Sequence, residues 1–158
     1  GLCLGGGAEV VAACDLAVAS ERAVFGFPEP RVGLAATGGG ALQRLAREMP
    51  MKHVMRLLLT GASISAEEAR RVGLINEVVP HDQLMPAALA LAQEILACAP
   101  LAVQATKQVV LQSRDAPDFA TAMDESRYPA VERMMNSQDA IEGPLAFAQK
   151  RKPVWTGT

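Results

Sequence analysis

Aromatic residues are scarce, with four Phe, one Tyr and one Trp in 158 residues. A surface that stacks successive bases needs more rings than that. Neither charge sign dominates: 15 Lys and Arg stand against 17 Asp and Glu, a formal net charge of −2. No global field draws the chain to nucleic acid or to an anionic membrane surface. The cysteines Cys3, Cys14 and Cys98 are odd in number and lack metal-ligand spacing. A disulfide framework and a zinc site are therefore not expected, and a reducing cytoplasm is the natural setting. Apolar runs are broken by Gly, Pro or charge well short of a membrane span, and no basic-start signal peptide is visible. Also missing is an initiating methionine. Because Gly1 stands inside what reads as a strand-to-helix turn, the chain is expected to be the C-terminal portion of a longer protein.

Half of the residues are apolar, so a chain of this length can bury a core as one folding unit. The opening "GLCLGGGAEV" leads into a helix, "AEVVAACD", whose Ala and Val residues predict burial all round. "LAVASERAVFGF" predicts extended chain with a turn at Ser20-Glu21-Arg22. Pro28 and Pro30 make the following stretch a loop, and a second triplet, Gly38-Gly39-Gly40, leads into another helix. Pro50 opens a helix that Gly61 stops. Ser65 and Glu68 have capping-box spacing, each side chain expected to satisfy an orphan N–H, and Gly73 ends that helix. "LINEVVP" reads as a short strand. Residues 82–99 and 101–113 predict two helices split at Pro100, with Leu84, Ala88, Leu91, Ile95, Val103 and Val110 on their inner faces. A last helical region spans roughly 118–150, interrupted near 136–139 and at Pro144.

Chemistry concentrates near the first glycines. The leading N–H groups of a helix have no intrahelical partner, and the helix dipole favours negative charge there. Glycines let an oxygen approach, which is the geometry of an oxyanion hole. The dinucleotide fingerprint needs a small third residue where Val10 stands. A phosphate-binding P-loop needs Lys and Ser or Thr where Ala8 and Glu9 stand. Both rivals fail on residue identity. Glu9 lies in an otherwise apolar segment, and Glu29 is pinned between two prolines twenty positions on. Two carboxylates on rigid backbone can share one water, one accepting its proton and the other donating.

"LGGGAEVVAACDLAVASERAVFGFPEPRVGL" resembles the core of the crotonase superfamily, the enoyl-CoA hydratases and isomerases. "LLTGASISAEEARRVGLINEVVP" and "SQDAIEGPLAFAQKRKPVWTG" continue the likeness over nearly the whole chain, the closing stretch most resembling the carnitinyl-CoA dehydratase branch. The resemblance implies an α/β fold: residues 1–80 as the end of a ββα superhelix carrying the catalytic loops, 81–158 as a helical oligomerisation region, and the N-terminal part of the family domain absent. It implies that Gly6 donates to a thioester oxygen, with Gly5 and Gly7 lining the substrate path, and that Glu9 and Glu29 are the catalytic pair. Lys150, with Phe147 on the same segment, would help to hold the CoA of a neighbouring subunit. No metal or redox cofactor is implied, since CoA arrives with the acyl-CoA substrate, and the partner is a further copy of the chain, in trimers or hexamers. Isomerisation, another reaction of the superfamily, or an inactive oligomerisation module are the alternatives. The loop "GLAATGGGALQRL" is one residue longer than usual and has Ala where the family commonly has Pro.

Overall fold

The computed structural model describes residues 1–158, a mixed α/β structure that is mostly helical and has two small sheets. The residues fall into two compact units, Gly1–Ala90 and Leu91–Thr158.

In the first unit, β1 (Leu2–Leu4) runs parallel to β3 (Val24–Gly26), and β4 (Ser63–Ser65) closes that sheet antiparallel to β3. The second sheet pairs β2 (Val18–Ser20) in parallel with β5 (Glu77–Val79). The turn expected after β2 is present, with the Ala23 N–H bonded to the Ser20 carbonyl. β2 and β3 nevertheless join different sheets, so the turn does not make a hairpin. Between the strands lie α1 (Gly6–Ala13), α2 (Ala41–Glu48), α3 (Met51–Thr60) and α4 (Ala66–Arg71). Their core combines Ala8, Ala12, Ala41, Ala66 and Ala69 with Phe25, Phe27, Leu45, Val54 and Leu57. Alanine stripes let helices lie close to the sheet, while the two phenylalanines fill the volume behind β3.

Several local expectations need correction. α1 is not buried all round: Ala8 and Ala12 are, but Val10 is 65 % exposed. Only one half of the capping box forms. The Glu68 N–H donates to Ser65 Oγ at 3.2 Å, but the Glu68 carboxylate accepts from Arg71 Nε and Nη2, each at 2.6 Å. A guanidinium three residues on is a stronger partner for a carboxylate than a backbone N–H. Strand β4 had no expectation at all, because three residues give too short a pattern for periodicity to mark.

α5 (Leu84–Leu96) carries the boundary between the units, and α6 (Pro100–Ser113) follows with Pro100 in its first turn, where no N–H is needed. The predicted inner faces are covered only in part: Leu84, Ala88, Leu91 and Val103 are half-buried, as expected, whereas Ile95 and Val110 are exposed. No residue of α5 is buried, Ile95 is 39 % and Val110 54 % exposed, and α6 buries Ala105 instead. Apolar periodicity marks a face able to be covered, and not by what. No single helix is long and apolar enough to cross a membrane. The final region breaks more often than expected, into α7 (Phe119–Ala122), α8 (Pro129–Met135) and α9 (Gln138–Ala148). Asp118 and Ser137 cap α7 and α9 through their side chains. α9 runs on through Pro144, where an interruption was expected.

A strap formed by the last eight residues ties α9 down. Glu142 accepts from Arg151 Nη1 at 2.6 Å, Arg151 Nη2 at 2.8 Å and the Val154 N–H at 2.8 Å. Asp139 is buried and accepts from the Thr156 N–H, the Thr156 hydroxyl and the Gly157 N–H at 2.7, 3.0 and 3.0 Å. Trp155 packs its ring on Gly143 and donates from Nε1 to the Ala97 carbonyl at 2.8 Å. The Arg151 guanidinium first, then the Val154 N–H, hold the Glu142 carboxyl down from 4.5 to about 2. The Thr156 N–H chiefly lowers Asp139.

Both carboxyls are depressed by folding, so their contribution is complete above the ordinary carboxylate range and disappears as pH falls through their folded values. The strap is expected to release as pH falls from 4.5 towards about 2. Trp155 is the lone tryptophan, so its emission should shift to the red over that window. An emission maximum unchanged down to pH 2 would remove the latch.

Candidate functional site

The site is built where β1 gives way to α1. Gly5 turns the chain with φ 54° and ψ −125°, a conformation that side-chain-bearing residues rarely adopt, and its N–H donates to the Gly26 carbonyl at 3.0 Å. The Glu9 N–H then bonds to the Gly5 carbonyl at 3.0 Å, closing the first turn of α1. No side chain caps this helix, so its leading N–H groups at Gly6, Gly7 and Ala8 lack intrahelical acceptors.

Parallel pairing of β1 with β3 in the register Leu4↔Gly26 brings the end of β3 beside that turn. Phe27, fully buried, anchors the chain as it leaves the sheet. Pro28 and Pro30 then constrain a 3-10 turn, Glu29–Val32, closed by the Arg31 N–H to the Pro28 carbonyl at 2.9 Å and the Leu34 N–H to the Glu29 carbonyl at 2.9 Å. Arg31 reaches the Thr60 carbonyl through Nε at 3.0 Å, which fastens the turn to α3. The result places Glu29 Oε1 3.1 Å from where a Cβ on Gly5 would stand. Glu29 Oε2 is buried without a hydrogen-bond partner. A carboxylate oxygen in that condition is costly, about 1–3 kcal/mol or more when charged, unless something else satisfies it.

Glu9 lies one turn into α1, half-buried, with its carboxylate against the second glycine triplet: Oε2 is 2.7 Å from the position of a Cβ on Gly38. The two carboxylates thus flank the start of α1, Glu29 at the Gly5 turn and Glu9 at the Gly38 turn. Gly6 is exposed, and a Cβ added there would meet nothing within 4 Å. Gly7 has Cys3 Sγ at 3.9 Å from its virtual Cβ, and burial pushes the Cys3 thiol above its ordinary value. Gly5, Gly6, Gly7, Glu9 and Glu29 are therefore brought together in one unit. Gly38 and Gly39, expected only to introduce a helix, also belong to the site. Their sequence signal was the cost of a glycine triplet ahead of an otherwise ordinary helix.

The enoyl-CoA hydratase/isomerase family profile matches residues 1–158. The chain belongs to that family. A carnitinyl-CoA dehydratase of Salmonella typhi is 40% identical over 162 residues, covering 99% of this chain and 60% of the relative. The crystal structure of an enoyl-CoA hydratase from Mycobacterium tuberculosis H37Rv superposes with a TM-score of 0.93 at 42% identity, covering all of this chain and 62% of that one. An enoyl-CoA hydratase from Bacillus anthracis gives 0.93 at 34% identity, with 60% of that chain covered. This chain thus spans about three-fifths of the length of such relatives.

Phe147 and Lys150 lie in the second unit at the end of α9. Phe147 is 88 % exposed. Lys150 is the one non-glycine residue with positive φ, at 54°. Its N–H bonds to the Phe147 carbonyl and the Arg151 N–H to the Ala146 carbonyl, each at 3.1 Å, the paired bonds of a Schellman turn with Lys where glycine is usual. Lys150→Gly should stabilise the second unit by about 1 kcal/mol, since the left-handed cost is removed. Chemical denaturation of the two proteins checks this; an unchanged midpoint would mean that the turn carries no such strain.

Proposed function

We propose that the family chemistry of this chain is hydration of the α,β-double bond of an acyl-CoA thioester, or its reverse, with Glu9 and Glu29 as the acid–base pair. The observation that carries the reading is Glu29 Oε2, buried and unpartnered beside the uncapped start of α1. A water held between the carboxylates supplies the missing hydrogen bond. One carboxylate takes a proton from that water as its oxygen bonds to the β-carbon, and the electrons of the double bond move onto the thioester oxygen. The other carboxyl delivers a proton to the α-carbon as the enolate collapses. Run backwards, the same groups remove water, so the dehydratase relatives need no different site.

The enolate oxygen falls to the Gly6 N–H at the positive end of α1, with Gly5 and Gly7 beside it. The open space at Gly6 supports this assignment. No neighbour within the chain needs the missing side chain, and a glycine in a helix is less favourable than alanine by about 1 kcal/mol. Neither metal nor redox cofactor enters these steps, and CoA comes with the substrate. In our reading the chain is the C-terminal portion of the family domain and acts in a cytoplasmic assembly of copies. There the exposed Phe147 and Lys150 meet the CoA of a neighbour. The open edge of β1 and the three-fifths coverage of relatives support reading the chain as a portion of a longer domain.

Isomerisation needs a single carboxylate as proton shuttle, and two carboxylates at one helix start favour hydration. With crotonyl-CoA as substrate, Glu9→Gln and Glu29→Gln should each lower hydration at least 10²-fold, the lower range for a lost general acid or base. A near-normal hydration rate in either variant rejects the pair mechanism and favours isomerisation.

Gly6→Val separates the oxyanion role from packing. Its melting temperature should stay close to that of the parent, because the space is open, whereas turnover per folded molecule should fall about 10²- to 10³-fold, the cost of one oxyanion donor. Normal turnover with a lowered melting temperature would reverse that assignment.

A further inference from the structure

We infer that Gly38 is a positioning residue for Glu9: its missing side chain is the seat that holds the Glu9 carboxylate at the start of α1. The inference deepens the acid–base reading above and rests on it for its catalytic meaning, though the seat itself is a matter of geometry. A Cβ built on Gly38 would stand 2.7 Å from Glu9 Oε2, 3.4 Å from Oε1 and 3.5 Å from Cδ. Van der Waals contact for a real Cβ begins near 3.4 Å, so the carboxylate would have to withdraw by roughly 0.7 Å. Misplacement on that scale is enough to matter for proton transfer, where about 1 Å can cost 10²-fold.

The three glycines of the triplet divide their work. Gly39 and Gly40 have φ of 56° and 74°, so the turn into α2 requires them for its backbone. Gly38 is not among the residues with positive φ, and alanine can take its conformation. The atoms that alanine would strike belong to the far end of one flexible side chain, and that side chain is Glu9. Steric exclusion, and not backbone freedom, is what glycine provides at this position. Gly38→Ala should therefore leave the fold intact and move one carboxylate.

The test uses the 158-residue chain with glutamate labelled by ¹³C at the carboxyl, the Glu9 and Glu29 resonances being assigned by their loss in Glu9→Gln and Glu29→Gln. Gly38→Ala is expected to shift the Glu9 resonance, leave that of Glu29 in place and change the melting temperature by no more than ~2 °C, within the effect of a fraction of a kcal/mol. A Glu9 resonance that does not move overturns the inference. Should Gly38→Ala lower the melting temperature further, the same substitution in a Glu9→Ala background decides the cause. Restored stability there assigns the clash to the Glu9 side chain and supports the seat. An equal loss in both backgrounds places the clash elsewhere and overturns it. Normal hydration in Glu9→Gln would instead defeat the acid–base reading, and the resonance would still report whether Gly38 seats the carboxylate.

Discussion

The hydrogen bond from the Gly5 N–H to the Gly26 carbonyl is the joint on which the first unit turns. It forms because β1 and β3 are parallel and in register up to Leu4 and Gly26, and it commits both strands to leave the sheet at one place. From that place one strand starts α1 and the other starts the proline-flanked turn. The first supplies bare N–H groups and Glu9, the second supplies Glu29. Parallel strands make such a meeting ordinary, since their C-terminal ends lie together and the segments that follow them share a crevice. What is particular here is the backbone at Gly5, whose φ of 54° and ψ of −125° reverse the chain within one residue. A residue with a side chain would both strain that turn and press on Glu29 Oε1 at 3.1 Å.

The second unit is held differently. Few of its residues are buried, Ala105, Tyr128, Ala130 and Ala146 among them. Local hydrogen bonds carry much of its order: Tyr128 donates to the Ala122 carbonyl, Gln108 accepts from the Ala130 N–H, and two carboxylates of α9 collect three backbone N–H groups, a hydroxyl and a guanidinium from the strap. Charge-assisted bonds of this kind do not need a large core, but they depend on the ionisation of Asp139 and Glu142. Stability in this unit is thus tied to pH in a way that the apolar core of the first unit is not.

The sequence made legible those features that depend on neighbouring residues. The start of α1, the turn around Glu29, the stop at Gly61, β5 and the break near 136–139 are all set by glycine, proline or polar residues within a few positions, and all are found. The two glutamates were legible as an oddity of placement, charge within apolar or proline-bounded surroundings. Features that depend on distant partners were not legible. Glu68 pairs with Arg71 instead of completing its box, β2 and β3 separate into different sheets, and Ile95 and Val110 lie exposed although the other inner positions of α5 and α6 are half-buried. Each of these turns on a competition or a covering surface that spacing does not encode.

Glycine shows the same division most sharply. Gly5, Gly6 and Gly38 are one letter in the sequence, and each is glycine for a different reason. At Gly5 the reason is the backbone dihedral, which is local and is visible as a glycine at a strand-to-helix junction. At Gly38 it is a carboxylate brought from Glu9, twenty-nine positions earlier, into the volume a methyl group would fill. At Gly6 nothing in the chain occupies that volume at all. Among the residues of this chain alanine would fit there and favour the helix. In the reading proposed above, that volume is left for a thioester oxygen approaching the N–H groups that α1 leaves without intrahelical acceptors.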